Sequence, residues 1–320
     1  GEALVELMGA RLGRDNPACK CPSLGRPCIK KLLPTQAWAL YEIPLAGGLL
    51  GPIGVGHGKT GLDILSSLSF ERTTRPCRLA VLLIPPSLRE QLVRDYLAWA
   101  EHFRVPSLVM EQRAWIVPGA PVVHVIPYSR FSRSESTDLL DKLNPDLVIA
   151  DEAHKLRHKG TATTSRVLRW WSKRPDTRLC AWSGTLTSRS IQDYSHLSAF
   201  SLREGSPLPL EPQVVEEWAG AIDPSDWPSP AGALQSLGEP LERGFHRRLV
   251  ETMGVVATKS GAVNASVNIF ERRPPPIPAK VRSLLRDLRE GWIRPDGEEL
   301  VDILSVARSA RELSCGFYYR

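Results

Sequence analysis

The sequence predicts an α/β fold in which a parallel sheet is flanked by helices and followed by a mainly helical C-terminal extension. From residue 45 to residue 200, short apolar runs alternate with amphipathic patterns, which is typical of strands joined by crossover helices. One apolar run leads into a glycine-rich loop, and another ends in paired acidic residues. Both features are expected at the carboxyl ends of parallel strands, where ligands bind.

The composition is that of a well-packed soluble protein. The 320 residues are 42% hydrophobic, which is enough for one large domain and an appendage. The formal net charge of +6 is a mild excess that suits a polyanionic partner such as nucleic acid. The apolar runs fall short of the roughly 20 residues that a membrane span requires, and the N-terminus lacks a signal-peptide pattern. We therefore expect a cytoplasmic protein with no membrane partner.

Residues 1–33 are predicted to be an N-terminal appendage without clear periodicity. They contain Cys19, Cys21 and Cys28, which are candidate Zn²⁺ ligands because thiolates at short spacing bind zinc well. The alternative of three free thiols is favoured at this point, since structural zinc normally takes Cys-x2-Cys pairs and four ligands. The neighbouring sequence offers no fourth ligand.

Residues 34–200 are predicted to form the ligand-binding lobe around five strands. Apolar runs place these strands at residues 48–55, 79–84, 122–126, 147–150 and 179–182. Helical patterns cover residues 59–68, 88–103, 163–171 and 191–200. Residues 201–232, rich in Pro and Ser, are predicted to be an irregular connector. Residues 233–320 are predicted to be the helical extension, with helices at 241–253, 279–290 and 298–315 and an extended stretch at 265–270.

The loop after the first predicted strand has the composition of a phosphate-binding loop. Gly54, Gly56 and Gly58 allow the backbone to turn its N–H groups towards a ligand. Lys59 supplies a positive charge for the β- and γ-phosphates, and the hydroxyl of Thr60 suits Mg²⁺. The strict Gly-x4-Gly-Lys-[Ser/Thr] pattern would have glycine at position 53, where this chain has isoleucine. We predict that ATP and Mg²⁺ bind here.

Acidic residues directly follow the predicted strand at residues 147–150. Asp151 is predicted to hold Mg²⁺, and Glu152 is placed to orient and deprotonate the water that attacks the γ-phosphate. His154 is predicted to sense the γ-phosphate rather than to act as an acid or base. Adjacent carboxylates also occur by chance on solvated faces, but here they end an apolar strand downstream of a phosphate-binding loop.

These motifs, in this order, resemble the first RecA-like lobe of superfamily 2 helicases and translocases. The similarity runs from about residue 34 to residue 200 and is greatest to the Swi/Snf-type double-stranded DNA translocases of the DEAH-box group. Residues 55–60 (Val-Gly-His-Gly-Lys-Thr) resemble motif I, and residues 151–154 (Asp-Glu-Ala-His) resemble motif II. By this resemblance, Gln36 corresponds to the glutamine that reads adenine, and His57 joins the nucleotide-binding set.

Three further segments resemble motifs of the same family. Residues 82–88 resemble motif Ia, residues 125–130 motif Ib and residues 183–187 motif III. The first two imply contacts to the nucleic-acid backbone through Pro85, Pro86, Ser87, Tyr128, Ser129 and Arg130. Tyr128 has a second interpretation, as a core aromatic at a strand end. Motif III implies that Ser183, Gly184 and Thr185 couple the nucleotide state to movement of the lobe.

The resemblance implies an ATP-dependent nucleic-acid translocase or helicase with a RecA-like P-loop fold. It implies ATP and Mg²⁺ as cofactors, DNA as the favoured partner, and a second RecA-like lobe beyond residue 320. One alternative is a DEAH-type RNA helicase, because motifs Ia and Ib contact phosphates and sugars more than bases. Another is a nucleotide-gated binding module that does not hydrolyse ATP. The presence of both Lys59 and Glu152 favours hydrolysis over this second alternative.

Overall fold

The computed structural model divides the chain into two units, Gly1–Asn264 and Ala265–Arg320. It describes residues 1–13, 16, 18–26, 28–132, 138–186, 190–223, 241–258 and 278–314. The predicted extended stretch at residues 265–270 lies outside the described residues. Within the described ranges, every helix is too short or too polar to cross a bilayer.

The first unit is built on a mostly parallel sheet, which confirms the predicted α/β class. Its described strands are β1 (Leu49–Gly51), β2 (Leu79–Ile84), β3 (Ser107–Val109), β4 (Ala114–Trp115), β5 (Val122–Pro127), β6 (Leu147–Asp151) and β7 (Arg178–Trp182). They lie in the order β1-β7-β6-β2-β5-β3-β4, and only the β3–β4 pair is antiparallel. The parallel strands therefore all end at one edge of the sheet, and that edge carries the predicted motifs.

Both faces of the sheet are covered in its centre, because successive side chains along β2 and β6 point to opposite faces and are nearly all apolar and buried. In β2, Ala80, Leu82 and Ile84 point to one face, while Val81 and Leu83 point to the other. A sheet covered on both sides reads as a continuous apolar run rather than an alternating one. This explains why the central strands were predictable from the sequence.

In the described part of the chain, helices cover the two faces of the sheet in the first unit, and two helices lie in the second unit. They are α1 (Glu2–Arg11), α2 (Pro34–Ala46), α3 (Lys59–Leu65), α4 (Arg89–Ala100), α5 (Leu139–Leu143), α6 (Ala162–Ser172), α7 (Ser195–Leu202), α8 (Pro212–Ile222), α9 (Leu241–Glu251), α10 (Ala279–Gly291) and α11 (Ile303–Ser314). Helices α1 to α4 contribute to the core on one face, and α6 to α9 to the core on the other. Within the second unit, α10 and α11 pack through Leu288, Val306 and Leu313.

Several elements differ from the sequence-based predictions. The first strand is shorter than predicted, because the backbone leaves the sheet after Gly51. Helix α1 lies in the segment predicted to lack periodicity, and Met8 and Leu12 at its end are buried. Helix α8 lies in the predicted irregular connector, where Pro212 occupies the first turn, a position that tolerates proline. The short strands β3 and β4 were not predicted.

The edge of the sheet next to β1 is extended by a later part of the chain. Leu50 and Val255 form a parallel bridge, with Leu50 N–H donating to Gly254 O at 2.8 Å and Val256 N–H donating to Leu50 O at 3.1 Å. Two residues further on, Thr258 N–H donates to Pro52 O at 3.1 Å. Residues 254–258 therefore flank the loop that follows β1.

Candidate functional site

The glycine loop, residues 52–58, connects the end of β1 to the start of α3. Gly56 and Gly58 have φ angles of +84° and +74°, which glycine adopts without the steric penalty of a Cβ atom. Gly54 N–H donates to the hydroxyl of Thr258 at 2.8 Å, and the ring of His57 lies beside Gly54. The hydrogen bond to Thr258 thus ties the loop to the segment that flanks β1.

Gln36 fastens the loop to the start of α2. Its side chain is buried; its amide nitrogen donates to Gly58 O at 2.7 Å, and its amide oxygen accepts from Leu33 N–H at 2.8 Å. A Cβ atom at Gly58 would lie 2.4 Å from that amide nitrogen. In this arrangement Gln36 is a capping and loop-holding residue.

Lys59 lies between the glycine loop and the carboxylates of β6. Its ammonium donates to Ile53 O and Gly54 O, each at 3.2 Å, and lies 3.8 Å from Glu152 Oε1. The side chain of Lys59 is only 12% exposed. Thr60 follows as the second residue of α3 and is partly buried.

Three carboxylates surround this single lysine, and we call Asp63, Asp151 and Glu152 the carboxylate cluster. Asp151 is buried at the end of β6, and burial together with the charge of Glu152 raises its pKa to about 6. Burial, followed by the charge of Asp151, also holds the pKa of Asp63 well above its usual range. A divalent cation bound here would offset this excess of buried negative charge.

Asp63 was not predicted as a site residue, although the sequence carries a signal for it. It is the one charged residue in the apolar run 61–65 and follows Lys59 by four positions, so both occupy the same face of α3. Trp182 at the end of β7 donates its indole N–H to Asp63 Oδ1 at 3.1 Å. The hydrogen bond fixes the orientation of this buried carboxylate.

Glu152 takes part in a hydrogen-bonded network with the segment after β7, residues 183–185. Its Oε2 accepts from Ser183 Oγ at 3.0 Å and lies 3.1 Å from His154 Nδ1. His154 Nδ1 is also 2.9 Å from Ser183 Oγ, while Thr185 N–H donates to Ser183 Oγ at 3.3 Å. Burial lowers the pKa of His154 and favours its neutral imidazole. Gly184 lies beside Gly54, so the segment after β7 contacts the glycine loop directly.

Glu152 also has a backbone φ of +51°. This left-handed conformation is uncommon for a residue other than glycine, and such strain collects at functional sites. It follows directly on the last residue of β6 and turns the chain, so that Glu152 and His154 both face Ser183. The strained turn therefore helps to assemble the network.

The residues predicted to contact nucleic acid lie at the same edge of the sheet but differ in exposure. Pro86, Ser87 and Ser129 are exposed, and Pro85 is partly buried. Arg130 is partly buried and donates to Glu111 Oε1 at 2.7 Å. Tyr128 is buried and donates its hydroxyl to Asp151 O at 2.7 Å. In this conformation Tyr128 supports the end of β6, in keeping with its second interpretation as a core residue.

The three predicted zinc ligands are brought together, and a fourth potential ligand joins them. Cys19, Cys21 and Cys28 converge on His102, which follows α4, and their ligand atoms all lie within 4.8 Å of one another. We call these four residues the Cys3His cluster. Such a cluster is compatible with Zn²⁺. The sequence carried no local signal for His102, because it lies more than seventy residues after Cys28.

Neither a protein-family model nor a curated protein sequence matches this chain.

Proposed function

We propose that this chain is the ATP-binding, RecA-like P-loop lobe of a nucleic-acid translocase or helicase, with double-stranded DNA as its expected track. The observation that carries the proposal is the position of Lys59 at the end of the glycine loop, 3.8 Å from Glu152 at the end of β6. A lysine and a carboxylate at these two positions are what phosphate binding and water activation require.

The contacts of Lys59 support a role in binding phosphate. Its ammonium is held by the carbonyls of Ile53 and Gly54, which are neutral acceptors. A phosphate oxygen is a stronger acceptor for an ammonium because it carries charge. We expect Lys59 to exchange these carbonyl contacts for the β- and γ-phosphates of ATP.

The carboxylate cluster supports a role in holding Mg²⁺. Asp151 is the candidate residue to bind the ion through its water shell, with the hydroxyl of Thr60 as a second donor. When bound, Mg²⁺ would neutralise charge on the phosphates. Binding should weaken below the raised pKa of Asp151, about 6, because the protonated carboxyl no longer attracts a cation.

Glu152 is the candidate general base. Its Oε2 is oriented by Ser183 and His154, and a base held in this way can accept a proton from the attacking water without first being reoriented. Because Ser183 belongs to motif III, the same contacts link the base to the segment proposed to couple nucleotide state to lobe movement.

Exposed Pro86, Ser87 and Ser129 at the carboxyl edge of the sheet support the proposed track for nucleic acid. Contacts of this kind reach phosphates and sugars, so binding should depend strongly on salt and little on base sequence. Strongly base-specific or salt-insensitive binding would argue against this track.

The site assignment is tested by titrating the Lys59→Ala variant with a fluorescent ATP analogue and Mg²⁺. We expect Lys59→Ala to abolish measurable binding, because the point charge for the phosphates is lost. Lys155→Ala is the matched control, since it removes an exposed lysine three positions after Glu152 and should bind as the unmodified protein does. Unchanged affinity in Lys59→Ala would refute the assignment.

A further inference from the structure

The Cys3His cluster has a geometry that free thiols do not explain. Cys19 Sγ and Cys28 Sγ are 3.7 Å apart, and each lies 3.5 Å from His102 Nδ1. Cys21 Sγ is 3.9 Å from the same nitrogen. Three sulfurs thus converge on one ring nitrogen, although a single lone pair accepts one hydrogen bond in good geometry.

The shortest separations match the edges of a tetrahedron around one small ion. With Zn–S bonds of about 2.3 Å and Zn–N bonds of about 2.05 Å, a tetrahedral site has S···S edges of about 3.8 Å and S···N edges of about 3.6 Å. The closest observed pairs, at 3.7 and 3.5 Å, agree with these values. They are far longer than the roughly 2.05 Å of a disulfide bond.

The identity of the ion follows from the donor set. Three sulfurs and one imidazole nitrogen are soft and borderline donors, which favour Zn²⁺ over Mg²⁺ or Ca²⁺. An iron–sulfur cluster binds its cysteines through several irons, which would hold the ligand atoms farther apart than the 4.8 Å observed here. Four protein ligands fill a tetrahedral shell, as in structural rather than catalytic zinc sites.

The cluster joins two segments that are distant in sequence. Cys19, Cys21 and Cys28 belong to the N-terminal segment, whereas His102 lies just after α4, its N–H donating to Trp99 O at 3.0 Å. Three weaker contacts accompany this link. Asn16 donates to the carbonyls of Ala100 and Phe103, and the Lys30 ammonium lies 4.6 Å from the ring centroid of Trp99.

Trp99 connects this region to the helix that carries Lys59. A Cβ atom at Gly61 of α3 would lie 2.8 Å from the Trp99 ring, so the ring packs directly against the α3 backbone. Trp99 therefore lies between the Cys3His cluster and α3, the helix of the proposed nucleotide site. An ion that fixes the end of α4 would also fix the surface on which α3 rests.

We propose that the Cys3His cluster binds a single structural Zn²⁺ through the three sulfurs and His102 Nδ1, and that this ion fastens the N-terminal segment to the end of α4. This inference stands on the thiol and imidazole geometry alone and is independent of the proposed ATPase function. The affinity depends on four ligands, so removal of one should release the metal.

The first test is metal content and cobalt spectroscopy of the full 320-residue chain, purified without chelator. We expect one zinc per chain, and replacement by Co²⁺ should give the intense visible bands of a tetrahedral thiolate site. His102→Ala should lose the metal and these bands, while His102→Cys should retain zinc by restoring a fourth ligand. Cys77→Ala, at a buried thiol outside the cluster, is the control and should keep full zinc.

The second test is limited trypsin digestion of the unmodified protein with and without zinc. It measures whether the ion holds the N-terminal segment against the end of α4, and it needs no variant that could fold poorly. Removal of zinc from the unmodified protein with a chelator should speed cleavage at Lys20, Lys30 and Lys31 by at least tenfold, and added Zn²⁺ should reverse the change. Absence of zinc from the unmodified protein, or equal zinc in His102→Ala, would overturn the site. Equal cleavage with and without zinc would overturn the fastening role.

Discussion

The carboxylate cluster and the Cys3His cluster are both groups of potential metal ligands, but the fold treats them in opposite ways. The carboxylate cluster places three acids around one lysine, and burial raises the pKa of both Asp63 and Asp151. The Cys3His cluster places four potential ligand atoms within 4.8 Å of one another. One site therefore holds charge at a cost to folding, while the other is proposed to be stabilised by an ion.

Because of this difference, a stability measurement can distinguish a functional site from a structural one. Buried carboxylates that repel one another destabilise the folded state, and they persist where function requires them. A closed tetrahedral zinc site does the reverse, because metal binding adds to the free energy of folding. Substitutions at the two clusters should accordingly change stability in opposite directions.

The largest expected effect is on catalysis and comes from Glu152→Gln. Loss of the proposed general base should reduce ATP hydrolysis by about 10²- to 10⁴-fold, while ATP binding stays within a few-fold, because the proposed phosphate contacts of Lys59 remain. The measurement is the rate of phosphate release from ATP with saturating duplex DNA, under conditions in which the unmodified protein hydrolyses ATP. Glu101→Gln, at an exposed position, is the control. Full activity in Glu152→Gln would assign the base elsewhere.

The second prediction concerns stability and uses Asp151→Asn. The pKa of Asp151 is raised to about 6 by burial and by Glu152, so between about pH 4 and 6 the folded protein binds more protons than the unfolded chain. Stability from this group is therefore present at low pH and lost as pH rises through 6. Asp151→Asn should raise the free energy of unfolding at pH 7.5 by about 1 to 3 kcal/mol.

Urea denaturation at pH 5 and pH 7.5, without Mg²⁺, measures this effect. The gain from Asp151→Asn should be larger at pH 7.5 than at pH 5, and the variant keeps an oxygen to accept the N–H of Glu152. Asp176→Asn, at an exposed ion pair, should change stability little at either pH. A loss of stability in Asp151→Asn at both pH values would contradict the account of the carboxylate cluster.

The central strands of the fold were predictable because their signal is local. A strand buried on both faces is a continuous apolar run, as in β2 and β6. Strands β3 and β4, with three and two residues, are too short to show a pattern. Helix α8 was hidden by proline at its first turn, which in isolation indicates a loop equally well.

The two candidate sites differ in the same way. Lys59, Asp151 and Glu152 were identifiable because each stands directly at the end of a recognisable strand or loop. His102 was not, because only the path of the chain brings it to Cys19. Thr258 is a similar case, since its contact with Gly54 spans 204 residues. Long-range partners of this kind have no local sequence pattern that would reveal them.

The third prediction tests how tightly the glycine loop is held, using Gly58→Ala with Gly119→Ala as its match. Both glycines have a φ of +74°, but a Cβ atom at Gly119 meets nothing within 4 Å, whereas one at Gly58 would displace Gln36. Both variants should lose about 1 to 2 kcal/mol from the left-handed backbone. Gly58→Ala should lose about 1 kcal/mol more, from the hydrogen bonds of Gln36.

Thermal or urea unfolding gives the stability difference, and the fluorescent ATP titration gives its consequence. Only Gly58→Ala should weaken nucleotide binding, because Gly119 lies away from the loop. Equal losses of stability in the two variants would show that Gln36 moves aside freely and does not hold the loop.

The smallest expected effect is at the proposed track and concerns Arg130. Its ion pair with Glu111 is exposed, so Arg130→Ala should change stability by less than about 1 kcal/mol. If Arg130 instead contacts a phosphate, its removal should weaken binding to all DNA sequences alike and lower the slope of log affinity against log salt by about 1. Glu111→Gln should strengthen binding, because it releases Arg130 from a competing carboxylate.

Fluorescence anisotropy with duplex DNA at several salt concentrations measures both variants. An unchanged slope in Arg130→Ala would show that this residue does not contact the nucleic acid.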